Sequence, residues 1–257
     1  MRHIRLLLQF DGSDYSGWQV QNEKRTVQGL IEKAVHKVTG EDLRATGASR
    51  TDAGVHALEQ TASFKTGSSL DADVIRRALN ANLPRDIRIM EASECPDDFH
   101  PRYSAVSKRY AYLITHSRTP SVFLKRYSWN LSYDLTGNLG NLREAAGYLR
   151  GEHDFSSFRA SGCGSKTAVR KILDIEVSES SSIDFMTFSI NAPVIKICIT
   201  GNAFLRHMVR NIVGTLVDVG RGKALPSGIK AILESKDRGS AGITAPAHGL
   251  FLEKIDY

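Results

Sequence analysis

Residues 2–10 of this chain read as a strand. The apolar positions that follow, Val27, Leu30, Ile31, Ala34, Val35 and Val38, recur at the three- and four-residue spacing of a helix that stops at Gly40. Two strands are expected at 42–48 and 57–65, the second with Leu58, Gln60, Ala62 and Phe64 on one face. A helix over 71–80, carrying Val74, Ile75, Ala78 and Leu79, and a strand at 86–91 complete the order β-α-β-β-α-β. That order implies a ferredoxin-like half with an antiparallel sheet. From residue 105 a comparable order recurs without any sequence repeat: strand 106–115, helix 138–150, strands 169–178, 184–190 and 194–200, helix 204–219, helix 227–235 and strand 249–256. Residues 178–182 read as the polar tip of a hairpin, and 160–167 as a flexible basic loop. The expected fold class is therefore α+β, with two ferredoxin-like halves, 1–104 and 105–257, whose mainly antiparallel sheets flank a central cleft.

At 257 residues the chain can bury a substantial core without metal or disulfide staples. Its three cysteines, Cys95, Cys163 and Cys198, are dispersed and odd in number, which points to a reducing cytosol rather than a disulfide framework. No apolar run approaches the roughly 20 residues that span a bilayer, and the first ten residues read as a strand rather than a signal peptide. Lys and Arg number 34 against 28 Asp and Glu, a formal charge of +6 that suits a polyanionic partner. The arginines near apolar segments (Arg50, Arg102, Arg109, Arg159, Arg170, Arg206 and Arg210) are more telling than the total, because guanidinium groups make bidentate phosphate contacts and stack on bases.

The densest chemistry lies in Arg50-Thr51-Asp52-Ala53-Gly54-Val55-His56. The small residues Gly47, Ala48 and Ser49 before it mark a turn, since they let the backbone bend or approach a ligand closely. Two readings stay open on local chemistry. Asp52 is a surface turn residue capping nearby N–H groups, or a carboxylate presented in a cleft and kept ionised by a neighbouring guanidinium.

Arg50 through Ala57 resembles the active-site signature of the tRNA pseudouridine synthase A family. Further matches follow in that family's order: Asp11-Gly12-Ser13 with Tyr15 and Gly17-Trp18-Gln19, Asn80 through Pro84, Asp97 through Arg102, Lys108-Arg109-Tyr110, Asp154 through Arg159, and Asn202-Ala203-Phe204 through Gly214. Together they cover nearly the whole chain. One departure is visible, because Ser49 stands where the family usually has glycine, so the turn must accept a side chain.

The resemblance implies an isomerase that turns uridine into pseudouridine in the anticodon stem-loop of tRNA, near its 3′ side. It implies Asp52 as the catalytic carboxylate and Arg210 as its ionic partner. Tyr110 is then placed against the target base, Arg50 on the RNA backbone or in the space left by a flipped nucleotide, and Leu250 on the uracil pocket. Arg159 is a candidate for RNA phosphate. Tyr112 reads as a core residue, Arg206 as part of a solvated basic face, and His56 and His207 as hydrogen-bonding residues. The family's members further imply a cytoplasmic homodimer that grips tRNA, with no membrane association. No cofactor is expected: the histidines and cysteines lack metal-ligand spacing, and Gly164-Ser165-Lys166-Thr167 fails the phosphate-loop pattern. The competing reading is a non-catalytic RNA-binding protein or chaperone on the same fold, which has no chemical reason to retain Asp52.

Overall fold

The computed structural model describes residues 1–185 and 187–257. Two compact units result, Met1–Lys108 with Phe251–Tyr257, and Arg109–Leu250. Both mix helices with mostly antiparallel strands.

In the first unit β1 (Arg2–Phe10) buries Ile4, Leu6, Leu8 and Phe10 at period two. It pairs antiparallel with β3 (His56–Thr66) on one side and β4 (Ile87–Glu94) on the other. Helix α1 (Val27–Thr39) is delimited by local chemistry: the Thr26 hydroxyl accepts from the Gly29 N–H, and Gly40 closes the helix at φ 75° with its N–H on His36 O. Helix α2 (Ala72–Asn82) buries Ile75 and Leu79. The strand expected at 42–48 is reduced to β2 (Thr46–Gly47), paired with β3. The reason lies in α1, where Gln28 donates to Ala45 O at 2.9 Å and Glu32 accepts from Ala45 N at 3.0 Å. Those side chains occupy the groups a longer ladder would use.

The expected halves split at 104/105, with the last residues in the second half. Instead β10 (Leu250–Asp256) lays Phe251 and Leu252 parallel to His56 and Ala57 of β3, and Leu252 is fully buried there. The Ser107 hydroxyl also donates to Asp256 at 2.7 Å. Apolar burial and strand pairing thus tie the chain's last seven residues to the first unit.

The second unit orders β5 (Ser107–His116), β9 (Phe188–Gly201), β8 (Val169–Phe185) and β7 (Gly151–Asp154) side by side, with β6 (Trp129–Leu131) parallel to β5. The division between units falls inside β5, after Lys108. Residues 178–182 are not a hairpin tip. They continue β8, with Ser178 opposite Lys196 and Ser180 opposite Val194, and the register slips between Ser180 and Ser182. The Ser180 hydroxyl, which donates to Ser182 O and accepts from Ser182 N, absorbs that bulge. The expected strand 184–190 includes Met186, which lies outside the described residues.

Helix α3 (Leu139–Gly147) comes up short of the expected 138–150. Helix α4 (Met208–Gly220) starts four residues later than the apolar stripe suggests, because His207 takes φ 62°. It is buried on most sides, and a Cβ on Gly214 would lie 1.7 Å from Ile243 O. Helix α5 (Gly228–Ser235) ends at Lys236, again left-handed at φ 51°. Among the described residues no helix is long and apolar enough to cross a membrane.

Candidate active site

The loop carrying Asp52 is built entirely within the first unit and is held from several sides. Gly17, at φ 93°, packs so closely that a Cβ there would lie 2.7 Å from Thr51 O and 3.1 Å from Ala53 N. The neighbouring Trp18 N–H donates to Thr51 O at 3.1 Å, and Gly54 N–H donates to Tyr15 O at 3.3 Å. The same segment meets α1, since Gly17 O and Trp18 O accept from the N–H groups of Val27 and Gln28. The Asp11–Gln19 motif therefore clamps the start of a helix to the Asp52 loop.

On the other side of the loop, the fully buried Gln60 pairs with both backbone groups of Ser49, accepting from its N–H at 3.1 Å and donating to its carbonyl at 2.8 Å. Gly47 lies flat on the Trp18 indole, where a Cβ would come within 2.4 Å of the ring. Ser49 is absent from the left-handed residues, so its side chain brings no backbone strain into the turn. His56 is buried, with Nδ1 3.1 Å from both Asp11 Oδ1 and Gly12 N, and its ring stacks on Phe251 at 4.7 Å. Hydrogen bonding is its visible role.

Lys108, which the sequence marked only as part of the Lys108-Arg109-Tyr110 match, also holds this loop. It is 7 % exposed and donates from Nζ to Ala48 O at 2.5 Å, four residues before Asp52. Burial, helped by the Arg102 charge, pushes its ammonium down to about 8. Asp52 itself is half-buried, Arg50 is exposed, and Thr51 is buried with its hydroxyl unpartnered among the described residues.

Tyr110, Arg210 and Leu250 belong to the second unit. Tyr110 meets Phe204 edge to face, with ring centroids 5.1 Å apart. Arg210 sits in the first turn of α4 and donates from Nε to Ala245 O at 2.7 Å, while its own carbonyl accepts from Ala245 N at 3.1 Å. The segment it grips continues to Pro246, whose carbonyl accepts from the Tyr112 hydroxyl at 2.7 Å, and to Gly249, which packs on the Tyr112 ring. Tyr112 is thus a core residue that supports the segment running to the buried Leu250. Burial, with the Arg210 charge adding to it, holds His248 below the ordinary imidazole range.

Arg159 stands elsewhere. It lines a cavity with Arg206, His207 and Arg238, and neither Tyr110, Arg210 nor Leu250 reaches that lining. Arg206 precedes α4, so it shares no helical face with Arg210. Among the described residues, no group of three His, Cys, Asp or Glu side chains is disposed to hold a metal ion.

Residues 7–104 and 145–257 match the family model described as tRNA pseudouridine synthase. The chain is 44% identical over 257 residues to the "tRNA pseudouridine synthase A" of Thermoanaerobacter sp. (strain X514), and 45% identical over 257 residues to that of Acetivibrio thermocellus. Both alignments cover 100% of each partner. It is 41% identical over 258 residues to the "tRNA pseudouridine synthase A 2" of Clostridium tetani, covering 100% of this chain and 99% of the relative. The clamped aspartate loop lies inside the matched residues, and the chain belongs to the tRNA pseudouridine synthase family.

Proposed function

We propose that this protein isomerises uridine to pseudouridine in the anticodon stem-loop of tRNA, with Asp52 as the nucleophile. Family membership supports the tRNA uridine isomerase activity. The observation that carries the assignment to Asp52 is its loop: a half-buried carboxylate on a backbone fixed by Gly17, Trp18, Gln60 and Lys108. Such anchoring is what a positioned nucleophile needs, because a displaced reacting group loses the advantage of proximity.

Uridine and pseudouridine are isomers, so the reaction balances without a second reactant. The N1–C1′ bond breaks, the base turns over, and a C5–C1′ bond forms as the C5 proton is released and N1 regains one. In this reading Asp52 forms the covalent bond to the nucleoside that holds it through the exchange. Tyr110 lies against the uracil face, which keeps the ring in plane while leaving it free to rotate. Arg210 is the counter-charge that keeps the carboxylate ionised. Leu250 packs on the uracil, and Arg50 and Arg159 take backbone phosphates. The protein acts in the cytoplasm as a homodimer, and two joined basic surfaces grip an object as large as tRNA.

Asp52→Asn separates chemistry from binding. The folded variant, checked by circular dichroism, is expected to retain tRNA in filter binding while single-turnover pseudouridine formation drops by about 10³-fold or more. A folded Asp52→Asn protein with near-normal turnover would overturn the mechanism. Lost binding with unchanged chemistry per bound complex would make Asp52 a positioning residue instead.

A further inference from the structure

A cavity of about 670 Å³ opens within the second unit, away from the Tyr110 and Arg210 side chains. Three segments build it: residues 159–163 after the short turn Ser156–Phe158, Arg206 and His207 at the start of α4, and Lys236 and Arg238 after α5, with Asn211 and Thr244 forming part of the wall. Its charge is one-sided. Arg159 donates to the carbonyls of Cys163 and Ser165, and Arg238 donates to Ala241 O at 3.2 Å, Asn211 Oδ1 at 3.1 Å and Thr244 Oγ1 at 3.1 Å. All these acceptors are neutral. Asn211, fully buried, is itself fixed by donating to Phe158 O at 2.8 Å, so Arg238 is held in place by a rigid network.

Lys236 alone has an acid, Asp154 at 3.3 Å. The carboxylate of Asp237, between Lys236 and Arg238, accepts from Gly239 N. Among the described residues no carboxylate pairs with Arg159, Arg206 or Arg238. Three guanidinium groups thus share one cavity without an acid partner, an arrangement that favours an anionic occupant. The backbone carries a matching signal. Among the described residues, two of the three non-glycine residues with positive φ, His207 and Lys236, flank this cavity, and strain of that kind persists where surrounding structure enforces it at ligand clamps.

We propose that this cavity is a phosphate subsite for the tRNA backbone, seating a phosphodiester on Arg159, Arg206 and Arg238. The proposal rests on tRNA as substrate. The exposed side chains of Arg206 and Lys236 leave the rim open for a polynucleotide strand to pass, and the volume is of the size that takes nucleotide-scale ligands rather than a bare ion. Cys163 lies on the wall as a built-in reporter. Burial raises its thiol, but N–H groups of Arg206 and Ser165, the Ser165 hydroxyl and the Arg159 charge outweigh it and bring the group down to about 7. A phosphate seated beside it would drive the thiol back up.

The test compares wild-type protein with Arg206→Ala and Arg238→Ala. Filter binding of unmodified tRNA across a salt series is expected to show about tenfold weaker affinity for each variant and a salt slope smaller by about one ion. Arg206 is exposed, so its variant reads the pocket even if Arg238→Ala folds poorly. In parallel, iodoacetamide labelling of Cys163, followed by peptide mass spectrometry, is expected to slow several-fold with tRNA and its pH midpoint to rise. Wild-type affinity and slope in Arg206→Ala, with Cys163 labelling indifferent to tRNA, refute the subsite. Protection by millimolar inorganic phosphate without any effect of tRNA refutes an RNA subsite in favour of a small-ion site. Both readouts are binding measurements, so absent pseudouridine formation in wild type would sink the functional reading separately.

Discussion

Replacing Gly17 with alanine tests whether the Asp52 loop owes its position to a glycine on a different segment. An alanine Cβ would stand 2.7 Å from Thr51 O and 3.1 Å from Asp52 C and Ala53 N. Ordinary contact begins near 3.4 Å, so the loop or the Gly17 backbone must yield by about 0.7 Å. Backbone strain adds to the clash, since φ is 93° and an L-residue there costs about 1–2 kcal/mol. Together the two effects destabilise by about 2–3 kcal/mol, which lowers Tm by about 5–10 °C in a chain of this size. The reacting carboxylate moves with its loop, and a displacement approaching 1 Å costs about 10²-fold in rate. Single-turnover pseudouridine formation is therefore expected to fall about 10- to 100-fold, with tRNA affinity changed only a few-fold.

Gly40→Ala is the control for that experiment. Gly40 has φ 75° but no atom within 4 Å of its Cβ position, and it ends α1 rather than touching the loop. It should lose about 1 kcal/mol of stability and keep its turnover. Wild-type turnover and Tm in Gly17→Ala would refute the clamp. Equal loss of turnover in both variants would show that any strained glycine suffices.

Two further outcomes are expected. Unfolded lysine holds its proton to about 10.5, whereas folded Lys108 releases it at about 8, so the unfolded chain binds more protons between those values and stability should rise with pH across that window. Urea unfolding of wild type and Lys108→Met at pH 8, 9 and 10 should show a gap that changes with pH, and parallel curves would dismiss the buried ammonium. Iodoacetamide at pH 7.5 should label Cys163 before Cys95, whose thiol is raised by burial, and peptide mass spectrometry showing the reverse order would contradict the electrostatics of the basic pocket.

The elements most legible in the sequence were those whose burial follows a simple period. Helix α1, with its stripe from Val27 and its stop at Gly40, is one, and strand β1 is another. Where the chain departs from expectation, a specific interaction competes with the pattern. Gln28 and Glu32 take the Ala45 backbone and shorten β2. The serines near 180 lie on a ribbon exposed there, so polarity carries no information about a turn. His207 interrupts an apolar stripe that continues through it, and nothing in a histidine announces a left-handed backbone. The stretch around Asp52 was legible as a turn rich in chemistry, but its local residues left the role of the carboxylate open and only the family resemblance singled it out. The basic pocket was not, since Arg159, Arg206 and Arg238 come from three separate segments and only the fold collects them.

The route of the chain through β10 has a consequence for biosynthesis. Synthesis proceeds from the N-terminus at about 5–20 residues per second, so strands β1, β3 and β4 leave the ribosome early. The edge of β3 at His56 and Ala57, next to the Asp52 loop, waits for Phe251 and Leu252, which are made only after the whole second unit. Until then that edge offers unpaired backbone groups to any passing strand, a hazard for nascent chains. Completing this sheet therefore waits until the second unit has been made. A chain interrupted after Leu250 holds every proposed site residue but lacks the strand that pairs beside the Asp52 loop, so the frame of the proposed site is finished only once Phe251 and Leu252 have been added.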